Sequence, residues 1–274
     1  MKNRRYERVH LRDKIGVPYR AIGERMKAAS VASLAVLLVL ASPAKAQIEG
    51  ATSFGSKNTY SAFFDYSNDS SHIILGTAEG RKFTELGFQY ERRLKFGQHL
   101  VWKYTAELRP LIAESDLTVL ATIVQTSPPP TQTTVLPPVA SLACRPSSGS
   151  FSFTNPNTGV LNAGTFDISC GRRWTYVEGL SPLGTRINLL PRRRWQPTGS
   201  ILAGVLLSAK KIPIDTGGSF NFMFQVGAGV EYFRTSTQSI RLEYMLQHLS
   251  NAYTAQTNYG VDNGLVKLTY TFGK

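Results

Sequence analysis

From residue 47 onward the chain alternates apolar and polar positions with a period of two, in segments about ten residues long. Between Phe220 and Phe233, one face carries Phe220, Phe222, Phe224, Val226, Ala228, Val230 and Tyr232. The other carries Asn221, Met223, Gln225, Gly227, Gly229 and Glu231. Leu100, Trp102, Tyr104 and Leu108 oppose Lys103, Thr105, Glu107 and Arg109; Val266, Leu268, Tyr270 and Phe272 oppose Lys267, Thr269 and Thr271. Side chains alternate faces along a strand, so each segment is a strand with one apolar and one polar face. The pattern predicts strands over 59–67, 83–94, 99–113, 174–187, 197–208, 219–233, 237–249 and 263–272. An even number of strands leaves both chain ends on one side.

A soluble sandwich would hide the apolar faces in a shared core; a membrane barrel would turn them to lipid and fill its interior with the polar faces. Two features favour the barrel. The polar faces carry both signs of charge (Glu107, Arg109, Glu231, Arg241, Glu243), as an interior ion network requires, and aromatic residues gather near strand ends. Connections 95–98, 188–196 and 234–236 are short, whereas 68–82, 114–173, 209–218 and 250–262 are longer. Short turns on one side and long loops on the other mark outer-membrane barrels. The expected fold is all-β: an eight-stranded antiparallel transmembrane outer-membrane β-barrel with one long extracellular loop, 114–173. That loop holds Pro128, Pro129, Pro130, Pro137 and Pro138, and the length predicts a Pro-stiffened excursion.

The N-terminus reads as an address. Lys27 precedes a charge-free 14-residue run, 28–41, and Ala44, Lys45 and Ala46 form an A-x-A cleavage site before Gln47. The run is short of the about 20 residues that a membrane helix needs. Residues 1–46 are therefore expected to be leader and secretory signal, and 47–274 the barrel. The translation start is either Met1, with an extended n-region, or Met26.

Charge and composition then narrow the function. The 274 residues carry a formal net charge of +13, but residues 1–25 alone hold eight basic and three acidic residues. The global basicity thus rests in part on the leader, and no nucleic-acid partner is expected. Arg192, Arg193 and Arg194 fall in a short turn and read as solvated. In the outer loops, Arg81, Lys82, Lys210 and Lys211 read either as a phosphate-attracting patch or as ordinary loop charges. Two cysteines exclude a disulfide-dense scaffold and a four-cysteine zinc module. In an exported protein Cys144 and Cys170 are expected to pair. No metal-ligand cluster, P-loop or dinucleotide fingerprint is present, so neither metal nor cofactor is expected.

Candidate chemistry gathers at one strand end. His10 lies in the leader, and His72 and His99 read as solvated. His248 ends the seventh strand two residues before Ser250, so the two share a face and suit a base and a nucleophile. Asp262 opens the next, antiparallel strand, within reach of His248. Asn251 is a candidate oxyanion donor. By parity His248, Ser250 and Asp262 all lie on the lipid-facing side, which points to a membrane lipid as substrate.

The run His248-Leu249-Ser250-Asn251-Ala252, followed by Asn258-Tyr259-Gly260-Val261-Asp262, resembles the C-terminal motif of the outer-membrane lipid A 3-O-deacylases, the PagL-type acyloxyacyl hydrolases. Gly179-Leu180-Ser181-Pro182-Leu183-Gly184 and Gly227-Ala228-Gly229-Val230 are similar to stretches of the same proteins. The resemblance covers 174–274 well and 59–113 in pattern. It implies hydrolysis of the ester-linked 3-hydroxyacyl chain of lipid A, with Ser250 as nucleophile, His248 as general base and Asp262 as the orienting acid. Asn251 then belongs to the oxyanion site, and Asn258 and Gly260 shape the loop. Asp stands where the best-known pattern has Glu, and Tyr259 replaces a frequent Pro. The expected substrate is lipid A or lipopolysaccharide of the outer membrane, and the protein is a monomer or homodimer. The rival expectation is a non-enzymatic structural or adhesive barrel whose work is done by 114–173; an acyltransferase and a soluble lipid-binding sandwich stand behind it.

Overall fold

The computed structural model describes residues 53–67 and 69–272, within a compact unit spanning Gln47–Lys274. The expected leader and signal cleavage site lie outside the described residues. The strands are β1 (Asn58–Ser67), β2 (Lys82–Phe96), β3 (Leu100–Ser127), β4 (Gln132–Val135), β5 (Val139–Ala140), β6 (Ser147–Thr154), β7 (Leu161–Leu189), β8 (Trp195–Ile212), β9 (Gly218–Phe233), β10 (Ser239–Ser250) and β11 (Val261–Phe272). Eight of them close a ring. β1 pairs with β2, β2 with β3, β3 with β7, and each strand from β7 to β11 with the next. β11 returns to β1, with Tyr60 opposite Phe272 and Tyr66 opposite Val266. Every pairing is antiparallel, and because β11 pairs with β1 the ring has no open edge.

The alternation determines which side chain goes where. Outward positions such as Phe88, Leu108, Leu180, Phe222, Leu242, Tyr244 and Leu268 are exposed and apolar. Around the short-turn end runs an aromatic collar. Tyr60 stacks on Tyr90 and Trp195 on Tyr232, with ring centroids 5.4 and 4.6 Å apart, and Tyr270 packs against Phe272. An apolar waist bounded by aromatics is the surface of a barrel that meets lipid.

The interior is filled and polar. Glu91 accepts from Arg186 at 2.6 Å, Lys103 at 2.9 Å and Arg241 at 3.2 Å. Lys267 donates to Glu107 at 2.7 Å, and Arg109 bridges Glu85 and Glu107. Glu243 binds Arg241 at 2.8 Å and Arg186 at 3.3 Å. Gly227 and Gly229 make room for this packing: a Cβ would lie 2.2 Å from the Met245 sulfur and 2.7 Å from Glu243 Cγ, respectively. Toward the long-loop end the filling turns apolar, with Phe83, Ile112, Val177, Leu202, Met223, Leu249, Val261 and Leu265 buried together.

Segment 114–173, expected as a loop, is largely sheet. β3 and β7 stay paired far beyond the rim, from Glu114 opposite Thr175 to Ser127 opposite Ala163. The β-branched run around Thr118, Val119, Thr122, Ile123 and Val124 supports the extension. β4 and β5 pair with β3, and β6 pairs with β7, giving a sheet that stands roughly 45 Å above the rim. Cys144 and Cys170 are disulfide-bonded at its base, with Cα atoms 5.8 Å apart. The prolines sit at 128–130 and 137–138, outside strand interiors, where a missing N–H interrupts no ladder.

Candidate active site at the long-loop rim

β10 and β11 end side by side at the long-loop end. Their register sets His248 directly opposite Asp262. His248 Nδ1 and Asp262 Oδ1 are 2.6 Å apart. A carboxylate oxygen only accepts, so the proton of this bond sits on Nδ1. Nε2 is then left with a lone pair, as a general base requires.

Asp262 occupies an outward register position yet is fully buried. The connection between β1 and β2 covers it. The main-chain N–H groups of Ile74, Leu75 and Gly76 all donate to Asp262 Oδ2, at 2.5, 2.8 and 2.8 Å. Three convergent amides form an anion-binding nest. Gly76 is obligatory there, because a Cβ would lie 2.5 Å from Asp262 N and 2.9 Å from its Cγ. The same connection docks on the segment that leads into β11. Thr77 N and Oγ1 donate to Tyr259 O at 2.9 and 2.7 Å, and Ser71 N donates to Asp262 O at 3.1 Å. The sequence carries no mark of these amides. Main-chain donors have no side-chain signature, and Gly76 was the one local sign of close approach.

His72 read as solvated. Its side chain is 55% exposed, but both ring nitrogens are engaged. Nδ1 lies 2.8 Å from Gly76 O and Nε2 lies 2.9 Å from Glu79 Oε1. The pKa of His72 is raised above the ordinary histidine value, first by the Gly76 carbonyl and then by Glu79.

Ser250 shares the outward face with His248, next to Phe222 of β9. Its hydroxyl donates to Asn258 Oδ1 at 3.0 Å, which also accepts from Asn251 N at 3.0 Å. Among the described residues there is no hydrogen bond between Ser250 and His248. Immediately after the serine, Ala252 and Tyr253 take left-handed backbone angles, φ 49° and 61°. Such angles cost non-glycine residues roughly 1–2 kcal/mol each, and they turn Ala252 N onto Ser250 Oγ at 3.2 Å. The Asn251 side chain is buried and turned into its own loop, donating to Thr257 O at 2.6 Å and accepting from Tyr253 N at 2.9 Å. Gly260 sits at φ 64°, where an added Cβ would meet His248 Cε1 at 3.1 Å. The structure thus brings His248, Ser250, Asp262, Asn258 and Gly260 to one rim, and turns the Asn251 amide away from the serine.

Arg81 does not belong to any phosphate-attracting patch. It is fully buried, pairing with Asp116 at 3.1 Å and donating to the carbonyls of Glu79, Ser141, Leu142 and Pro213. Lys210 and Lys211 are exposed. No cluster of potential metal ligands occurs among the described residues.

Among solved structures, the chain overlaps Neisserial surface protein A (NspA), with 11% identity and a TM-score of 0.37, over 80% of this chain and 98% of that one. No curated protein matches it in sequence. The family model described as Lipid A 3-O-deacylase (PagL) matches residues 152–271, which take in β7 to β11 and the whole His248–Asp262 corner. Over that stretch the chain is similar to the PagL-type lipid A 3-O-deacylase family.

Proposed function

We propose that the protein is an outer-membrane esterase that removes the ester-linked 3-hydroxyacyl chain from the 3-position of lipid A, using Ser250, His248 and Asp262. The observation that carries this reading is the 2.6 Å bond from His248 Nδ1 to Asp262 Oδ1, on the lipid-facing side of a segment that matches the deacylase family. Asp262 fixes the imidazole with its Nε2 lone pair available. On substrate binding, Ser250 turns from Asn258 toward His248. His248 takes the hydroxyl proton as Ser250 Oγ attacks the ester carbonyl. The tetrahedral intermediate collapses, the acyl–oxygen bond breaks, and His248 returns the proton to the leaving 3-hydroxyl of the sugar. Water, deprotonated by His248, then releases the 3-hydroxy fatty acid and restores Ser250.

The oxyanion donor we assign is the main-chain N–H of Ala252, because the Asn251 amide is committed to Thr257. Asn251, Asn258 and Gly260 hold the loop. The apolar outer face around Phe222 and Phe224 suits a substrate that arrives sideways from the outer leaflet. The chemistry needs neither metal nor cofactor.

The protruding sheet of β3 and β7 favours one alternative, a structural or adhesive barrel whose work is done above the rim. Mass spectrometry of lipid A after incubation with the wild type and with Ser250→Ala separates the two. Loss of one 3-hydroxyacyl group with the wild type only supports the deacylase. Unchanged lipid A with both proteins, across several lipid A forms, sinks it.

A further inference from the structure

The connection between β1 and β2 does more than cap the barrel. It places three main-chain amides on one oxygen of Asp262, and in doing so aims the other oxygen at His248. The amides depend on the local shape of the segment, and His72 spans that segment from Gly76 O to Glu79 Oε1. Both of those partners are acceptors. A neutral imidazole has one N–H and can satisfy only one of them; the imidazolium has two and satisfies both.

We infer that residues 72–79 form a positioning clasp, in which the amides of Ile74, Leu75 and Gly76 hold Asp262 in its productive orientation and protonated His72 braces those amides. His72 is thus a positioning residue, acting on the proposed reaction through Asp262 and His248. The charged groups facing it are Glu79, from its own connection, and Asp262, from β11. Its raised pKa fixes the sign: the brace is complete at lower pH and is lost as pH rises through the folded value. The clasp therefore adds an alkaline limb to the pH profile of turnover.

The inference rests on the deacylase reading for its kinetic consequence, so two readouts are needed. The first is lipid A turnover against pH by the full chain in detergent micelles. The second is the far-downfield Nδ1 proton resonance of His248, which reports its bond to Asp262 whether or not lipid A is the substrate. Gly76→Ala is expected to lower kcat by about 100-fold with little change in KM, the scale of a misplaced catalytic group, and to abolish the resonance. His72→Gln retains one donor nitrogen and cannot reach both acceptors as the imidazolium does. It is expected to lose about tenfold at low pH, one hydrogen bond to a charged group, and to lose the alkaline limb. His72 is surface-exposed, so this variant keeps the fold if Gly76→Ala does not. Wild-type activity with an unchanged profile and resonance in His72→Gln overturns the clasp. A wild type without the downfield resonance overturns it as well. If the wild type leaves lipid A intact while the His72→Gln or Gly76→Ala substitution shifts the resonance, the clasp stands and the deacylase reading fails.

Discussion

Asp262→Asn separates charge from shape at the proposed site. The nest of three N–H groups at 2.5–2.8 Å accepts only an oxygen. An amide placed there must turn its oxygen to the nest and its NH2 to His248. Nδ1 then becomes an acceptor, the imidazole proton moves to Nε2, and the base that Ser250 needs is gone. Reversing the amide would point NH2 at three donors and forfeit three hydrogen bonds, about 1 kcal/mol or more each. The negative charge that steadies the imidazolium is lost as well. Together these place the barrier roughly 4–5.5 kcal/mol higher, a fall in kcat of about 10³–10⁴-fold. The assay is single-turnover release of 3-hydroxy fatty acid from lipid A, with heat-modifiable migration on gels to show that the barrel is closed. Retention of activity within tenfold of wild type in a closed barrel would refute the tautomer argument and, with it, the role of the nest.

Further outcomes follow from the same geometry. Asp262→Glu, although it installs the residue common in related motifs, is expected to lower kcat at least roughly tenfold, because Gly76 packs against Asp262 too closely for another methylene; fatty-acid release checks this. Gly260→Ala strains a left-handed residue beside the His248 ring and is expected to remove about 1–2 kcal/mol of stability, read as a lower gel-shift midpoint on heating. Glu91→Leu leaves Lys103, Arg186 and Arg241 facing one another inside the barrel, a loss of roughly 3–5 kcal/mol, visible as unfolding at lower urea. Cys144→Ser opens a covalent loop with a sequence separation of 26 and is expected to release about 3.5 kcal/mol of constraint in the protruding sheet, raising proteolysis there while barrel migration is unchanged.

The ring was legible in the sequence because a period of two sorts every residue to lipid or lumen, and Glu107, Arg109, Arg241 and Glu243 lie inside as that parity requires. The proximity of His248 and Asp262 was legible for a related reason: a hairpin register follows from the strands that flank it. The sheet above the rim was not. Around Ala121 and Val124 both faces are moderately apolar, so alternation is weak, and the prolines suggested coil. The fate of Arg81 was hidden as well, since three of its partners are main-chain carbonyls from distant segments, those of Ser141, Leu142 and Pro213. The nest lay furthest from view: its amides meet a residue 186–188 positions away in the chain.

That separation has a temporal consequence. β10 and β11 are neighbours in sequence, so His248 and Asp262 can meet in a hairpin that forms early. The amides over Asp262 come from the far side of the seam where β1 and β11 join, between Tyr60 and Phe272 at one end and Tyr66 and Val266 at the other. A chain whose first and last strands have not zipped together holds the base and the acid but not the groups that aim them. On the proposed reaction, catalytic competence would therefore report a closed β1–β11 seam, the last contact that joins the two ends of the sheet.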